Sequence, residues 1–146
     1  MENNLADSLA QHARARPDHT ALIDGERSLT HAQLQDQVLQ LAHKLLSSGL
    51  QAGDILGLCL RDSLEHVVCM WACIRAGLVM LPLDWRWTAA EREAVAGHFQ
   101  ARRVICEPGV RFEACATMTW DELQAAAPNS SMPALPTTSL ASPLLI

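Results

Sequence analysis

The sequence predicts an α/β fold, a mostly parallel sheet flanked by helices. Helix-start signals recur along the chain, short apolar runs lie between them, and those runs are apolar throughout instead of alternating. Strands alternating with helices imply βαβ crossovers. A continuously apolar strand is expected when helices cover both faces of a parallel sheet.

The first helix is expected from about Asn4 to Ala15, with Leu5, Leu9 and Ala13 on one side and Pro17 beyond its end. "TALID" (20–24) and "RSLT" (27–30) flank Asp24-Gly25-Glu26, which reads as a hairpin or tight turn. Thr30-His31-Ala32-Gln33 fits a capping box: the hydroxyl accepts an orphan backbone N–H and the glutamine reaches back. Leu34, Val38, Leu41 and Leu45 then form one apolar stripe, and Gly49 stands where a left-handed C-cap is wanted.

"ILGLCL" (55–60) follows a turn at Gly53-Asp54 and reads as a strand. Asp62-Ser63-Leu64-Glu65 resembles another cap, with Asp62 as the capping residue. Leu64, Val67, Val68, Met70, Trp71 and Ile74 cover most of the following helix, so it is expected to be buried on several sides. Gly77 ends it. "LVMLPL" (78–83) reads as a central strand, with Pro82 near its end where a missing N–H does little harm. Thr88-Ala89-Ala90-Glu91 opens the next helix, "RVIC" (103–106) is a strand and "ACATM" (114–118) a weaker one. Thr119-Trp120-Asp121-Glu122 caps a last helix.

The expected organisation is an α/β unit over 1–127 and an irregular Pro/Ser/Thr-rich arm over 128–146. "PNSSMPALPTTSLASP" holds four prolines and no periodicity. The last three residues, "LLI", turn apolar again, so the chain is expected to be cut short relative to a longer fold.

The 146 residues suffice for one domain. An apolar fraction of 49% against 18% charged marks a globular chain. The net charge of −5 argues against nucleic-acid binding, which needs a clustered basic face. Arg14 with Arg16, and Arg102 with Arg103, read as solvated pairs. There is no basic n-region followed by an apolar h-region at the start, and no apolar run reaches the roughly 18 residues of a membrane span. The expected location is cytoplasmic. The five cysteines, at 59, 69, 73, 106 and 115, lack CxxC spacing and read as small buried hydrophobes of a reducing compartment.

Residues that invite a chemical role have a simpler reading. His66, Cys69 and Cys73 share one helix face, as zinc ligands would, yet no fourth ligand is evident and burial in the core explains them. Asp62 and Glu65 read as cap residues and not as an acid–base pair, and Asp54 as a turn residue. Ser47-Ser48-Gly49 and Ser130-Ser131 lack a histidine at an interpretable spacing. Trp85 and Trp87, two apart, would point the same way if extended, and packing explains them better than ligand contact.

Three stretches in order resemble the opening of the AMP-forming adenylating enzymes: acyl-CoA synthetases, aryl-CoA ligases, luciferases and adenylation domains of nonribosomal peptide synthetases. "LTHAQL" (29–34) is similar to the family's "LTYxEL", with His31 for the usual tyrosine. "QAGDILGLCL" (51–60) keeps the glycine and aspartate of "GxGDxV". "WACIRAGLVMLPLDWRWTAAE" (71–91) resembles "AxxxAGxxxxPLxPxxxxxE", with Trp85 where a proline is common. The resemblance is clear over about residues 15 to 106. It implies the N-terminal subdomain of an AMP-dependent synthetase/ligase fold and an acid–thiol ligase reaction. "LASPLLI" matches the junction that leads into the family's phosphate loop. The resemblance therefore implies that this loop, the adenine and ribose contacts and the mobile C-terminal domain lie past Ile146.

On that reading the 146 residues hold no catalytic, cofactor-binding or metal-binding residue and are inactive alone. ATP, Mg and CoA or phosphopantetheine are cofactors of the full-length family only. The expected partner is the remainder of the same fold, with a homo-oligomer or partner protein at exposed apolar surface as further contacts. The competing readings are a freestanding interaction module using an exposed sheet edge or Trp85 and Trp87, and a small independent α/β enzyme.

Overall fold

The computed structural model describes residues 5–127 and 134–136. Helix α1, Leu5–Ala15, leads into strands β1, Thr20–Asp24, and β2, Arg27–Thr30. These two form an antiparallel hairpin whose loop begins at Gly25, with φ of 59°, the positive value a two-residue turn needs at its first position. Helix α2, His31–Ser47, starts on a complete capping box. Gln33 N donates to Thr30 Oγ1 at 3.2 Å, and Thr30 N donates to Gln33 Oε1 at 2.9 Å. Its predicted stripe of Leu34, Val38, Leu41 and Leu45 is buried.

The remaining strands are β3, Ile55–Cys59, β4, Val79–Pro82, β5, Arg103–Cys106, and β6, Ala116–Met118. They form one parallel sheet in the order β4-β3-β5-β6. Helix α3, Leu64–Ala76, connects β3 to β4, helix α4, Ala89–His98, connects β4 to β5, and the short α5, Trp120–Ala125, follows β6. Gly77 ends α3 in the left-handed conformation at φ of 70°, as its position predicts.

The strands bury both faces. Leu56, Leu58, Met80 and Ile105 pack with α2 and α3, while Cys59, Leu81, Val104 and Cys106 pack with α4 and Phe112. Each fully buried leucine contributes about 1.5–3 kcal/mol by leaving water. The uninterrupted apolar runs are thus the signature of two-sided cover.

Three details differ from the sequence expectation. Among the described residues β4 is an edge strand and not a central one, because α4 carries the chain back across β3 to its other side. Helices on both faces bury Val79, Met80 and Leu81 all the same, so composition reported facial cover and not place in the sheet. In α1, Ala6 and Leu9 are buried while Leu5 is exposed. Arg103 is only partly solvated: its guanidinium donates to Ser48 O at 2.7 Å and joins β5 to the end of α2.

Gly57 sits where the sheet is tightest. A Cβ there would lie 2.8 Å from Val104 Cγ2 and 3.0 Å from Leu83 Cδ1. Valine is stiff about χ1 and cannot swing clear. Gly57→Ala is expected to lower the urea midpoint, at unchanged m, by about 1–3 kcal/mol of stability. Wild-type stability in that variant would contradict the packing described.

Candidate functional site

The strand order reverses at β3, which runs to β4 through α3 on one side and has β5 on the other. Open parallel sheets bind ligands outside the carboxyl ends of their strands at such a switch point. A crevice of about 430 Å³ lies there. Leu60, Arg61 and Ser63 line it from the end of β3, Cys106, Glu107 and Pro108 from the end of β5, and Trp120 from α5.

Arg27 reaches this crevice from the hairpin. Its guanidinium donates to Glu65 Oε1 at 2.6 Å, to Glu65 Oε2 at 3.1 Å and to Asp24 Oδ2 at 2.5 Å. These hydrogen bonds hold the Asp24 and Glu65 carboxyls below the usual range. Asp24 Oδ2 also accepts from Leu64 N at 3.3 Å, which fastens the hairpin to the first turn of α3. Arg61 N donates to Glu107 Oε1 at 2.8 Å, bridging the ends of β3 and β5. The Arg61 guanidinium lies 4.5 Å from the Trp85 ring centroid, a cation–π contact. No sequence pattern announced the pairing of Arg27 with Glu65 or of Arg61 with Glu107 and Trp85, because these partners lie far along the chain.

The charge balance limits what the crevice can hold. Asp24, Asp62, Glu65, Glu107 and Asp121 line it against Arg27 and Arg61. Arg27 is already held by two carboxylates. The phosphates of a nucleotide would meet net negative charge and no adjoining run of glycine amides, so the adenylate group does not fit here. Among the described residues, no three His, Cys, Asp or Glu side chains are grouped to hold a metal ion.

A smaller hollow of about 250 Å³ opens beside β4, lined by Leu58, His66, Pro82, Trp85 and Arg86 among others. Trp85 borders it, and Trp85 and Trp87 lie in a turn and not in extended chain, since Trp87 N donates to Asp84 O at 3.1 Å. They therefore do not share a direction through strand geometry. Both stay partly exposed, at 37% and 38%. Arg86 donates to both oxygens of Asp84 through Nε and Nη2 and holds that carboxyl at about 2. Arg92 Nη1 donates to Trp85 O at 3.1 Å and steadies the turn from α4.

The other sequence candidates take structural places. Ser63, not Asp62, caps α3: its Oγ accepts from His66 N at 3.2 Å. Asp62 is exposed, with Oδ1 3.9 Å from His66 Nδ1, and Glu65 pairs with Arg27 instead of closing a box. Cys69 and Cys73 are fully buried, and desolvation pushes both thiols up, Cys73 to about 12. His66 on the same helix is only half-buried. Cys115 is also half-buried, unlike the other four cysteines. Asp54 Oδ2 accepts from Gln51 N at 2.8 Å as a turn residue does. Ser48 Oγ donates to Leu45 O at the end of α2. Ser130 and Ser131 lie outside the described residues.

Two measurements check this description. Ser63→Ala is expected to lose about 1 kcal/mol of stability, while Asp62→Ala stays within about 0.5 kcal/mol of wild type. The reverse order would return the cap to Asp62. In a carboxyl NMR titration Asp84 is expected to titrate near 2 and to return toward 3.8 in Arg86→Ala. Because folding lowers this pKa, the stability it brings is present above the unfolded value and is lost as pH falls through the folded one.

Comparison with known proteins identifies the scaffold. The AMP-binding enzyme family matches residues 9–143. Over 89 residues the chain is 42% identical to a medium/long-chain-fatty-acid–CoA/3-oxocholest-4-en-26-oate–CoA ligase of Mycobacterium marinum, covering 60% of this chain and 16% of that protein. Over 87 residues it is 36% identical to the phosphinothricin tripeptide synthetase PhsC of Streptomyces viridochromogenes, covering 60% and 8%. The fold superposes on the Klebsiella oxytoca NpsA N-terminal subdomain in complex with 3-hydroxybenzoyl-AMSN with a TM-score of 0.89 at 25% identity, covering 99% of this chain and 37% of that one. It also matches the fold of the Bacillus subtilis O-succinylbenzoate coenzyme A synthetase MenE in complex with AMP, with a TM-score of 0.80 at 22% identity over 88% and 34% of the two chains. The chain thus spans about a sixth of the ligase and a little over a third of the solved subdomain. Motif order, sheet topology and a match through nearly the whole sequence agree: the chain belongs to the AMP-binding enzymes.

Proposed function

We propose that this chain supplies the N-terminal part of an AMP-forming acid–thiol ligase. Such an enzyme joins a carboxylate to ATP as acyl-adenylate, releases pyrophosphate, and passes the acyl group to CoA or a carrier thiol. The observation that carries the reading is the family match over residues 9–143, with 99% of the chain aligned to a solved subdomain of which it covers 37%. The names of the relatives, CoA ligases and a peptide synthetase, support both acceptor types.

In this reading residues 1–127 act as a scaffold and 128–146 as a connecting arm. No catalytic, nucleotide-binding or metal-binding role falls to any residue here. Holding the reacting phosphates requires clamps on negative charge, and the acidic crevice at the switch point offers the opposite. ATP, Mg and the acceptor thiol then belong to the remainder of the enzyme, which is also the chief partner of this chain. A cytoplasmic location fits the free cysteines, and no helix among the described residues is long and apolar enough to cross a membrane. The reading as a freestanding interaction module is less well supported, since Arg61 already covers one face of the Trp85 ring.

Pyrophosphate release by the 146-residue chain, assayed with ATP and a panel of carboxylic acids, tests the proposal. The expected result is no turnover above background. Robust turnover would overturn the scaffold role.

A further inference from the structure

Two histidines and an arginine meet where α1 lies against the start of α2. The rings of His12 and His31 stack with centroids 5.4 Å apart and 25° between their planes. Arg16 Nη2 lies 3.0 Å from His12 Nδ1. A guanidinium can only donate, so His12 Nδ1 is the acceptor in this contact. His31 Nδ1 is buried and has no hydrogen-bond partner. A proton placed there would bury an unpaired cation. The backbone fixes this ring: His31 N donates to His19 O at 3.0 Å and Ala32 N to Pro17 O at 3.1 Å.

The surroundings offer a protonated His31 nothing to pair with. The charged groups acting on it are His12 from α1, Arg16 just past α1, and His19 before β1, with no carboxylate among them. Burial first, and these neighbours second, lower its pKa. Helix α1 buries two residues, Ala6 and Leu9, where α2 buries five. Weakly buried terminal helices open locally before the body of a domain unfolds.

We propose that His31, stacked beneath the His12 ring, is an acid-released latch, which docks α1 on α2 while its imidazole is neutral and frees α1 when it is protonated. The sign follows from the geometry. Folded His31 binds a proton less readily than free histidine, whose pKa is near 6.5. Docking is therefore complete above that value and weakens as pH falls below it. Carboxyls held low by Arg27 and Arg86 stay ionised in that window, which separates the latch from acid unfolding of the body.

Amide hydrogen exchange on the full chain at pH 7.5 and 5.5, corrected for intrinsic rates, reads the latch directly. The amides to follow are those of Leu9–Ala15, since the first four N–H groups of a helix lack intrahelical partners. Their protection is expected to fall about tenfold at pH 5.5, one unit below the free histidine pKa, while α2 and β3 hold theirs. His31→Gln keeps a polar side chain that cannot become a cation, and is expected to remove most of the fall. His31→Phe is expected to abolish it. Wild-type protection in α1 that is equal at the two pH values overturns the proposal, and so does a His31→Gln chain that keeps the full tenfold fall. If His31→Phe fails to fold, these two results decide.

Discussion

Strand β3 is paired on both edges and covered on both faces, and everything else is arranged to satisfy it. It hydrogen-bonds to β4 on one side and β5 on the other. Leu56 and Leu58 face α2 and α3, while Gly57 and Cys59 face the α4 side. The missing side chain at Gly57 lets Val104 and Leu83 close over the strand from both neighbours. A strand so enclosed leaves no backbone group without a partner and no apolar face wet, the two costs a sheet must avoid. The helices around it, with their caps, are the means of that enclosure.

The same arrangement creates the crevice and decides its character. Because the chain leaves β3 toward β4 and returns on the other side, the ends of β3 and β5 diverge and leave a gap. Glu107 and Arg61 close its floor by one hydrogen bond. Arg27, the cation best placed to meet an anion, is instead engaged by Glu65 and Asp24, so it serves as a clasp between hairpin and helix. A two-stranded hairpin is marginal alone, and this clasp with the Asp24–Leu64 bond sets its orientation. The charge at the switch point is thus used for architecture.

What the sequence disclosed follows from distance along the chain. Thr30, Thr88 and Thr119 were readable as caps because both partners of each box lie within four residues, and all three boxes form. The cap of α3 was misplaced by one residue. Asp62 and Ser63 both carry a suitable oxygen, and Leu64 N is taken by Asp24 from 40 residues away. The turn at Asp84–Trp87 had a local signal, an aspartate at its first position, that the apolar burst before it obscured. The edge position of β4 had none, since its composition records the helices above and below it and not its neighbours in the sheet. Arg27 with Glu65 and Arg61 with Trp85 join elements that only the folded topology brings together. The acidic crevice was invisible for the same reason.

The order of strands also sets a hazard during synthesis. β3 can pair with β4 as soon as α3 and β4 have been made, but its second edge waits for β5. Between Cys59 and Arg103 the ribosome must add some 44 residues, about 2–9 s at ordinary elongation rates. For that interval an apolar edge with free N–H and C=O groups stays open to foreign strands. The helix that forms meanwhile, α4, opens on its own capping box and brings Ala96 against the face that Cys59 presents. It covers one face of the nascent strand before its last edge partner exists, and the edge itself stays open until β5 is made.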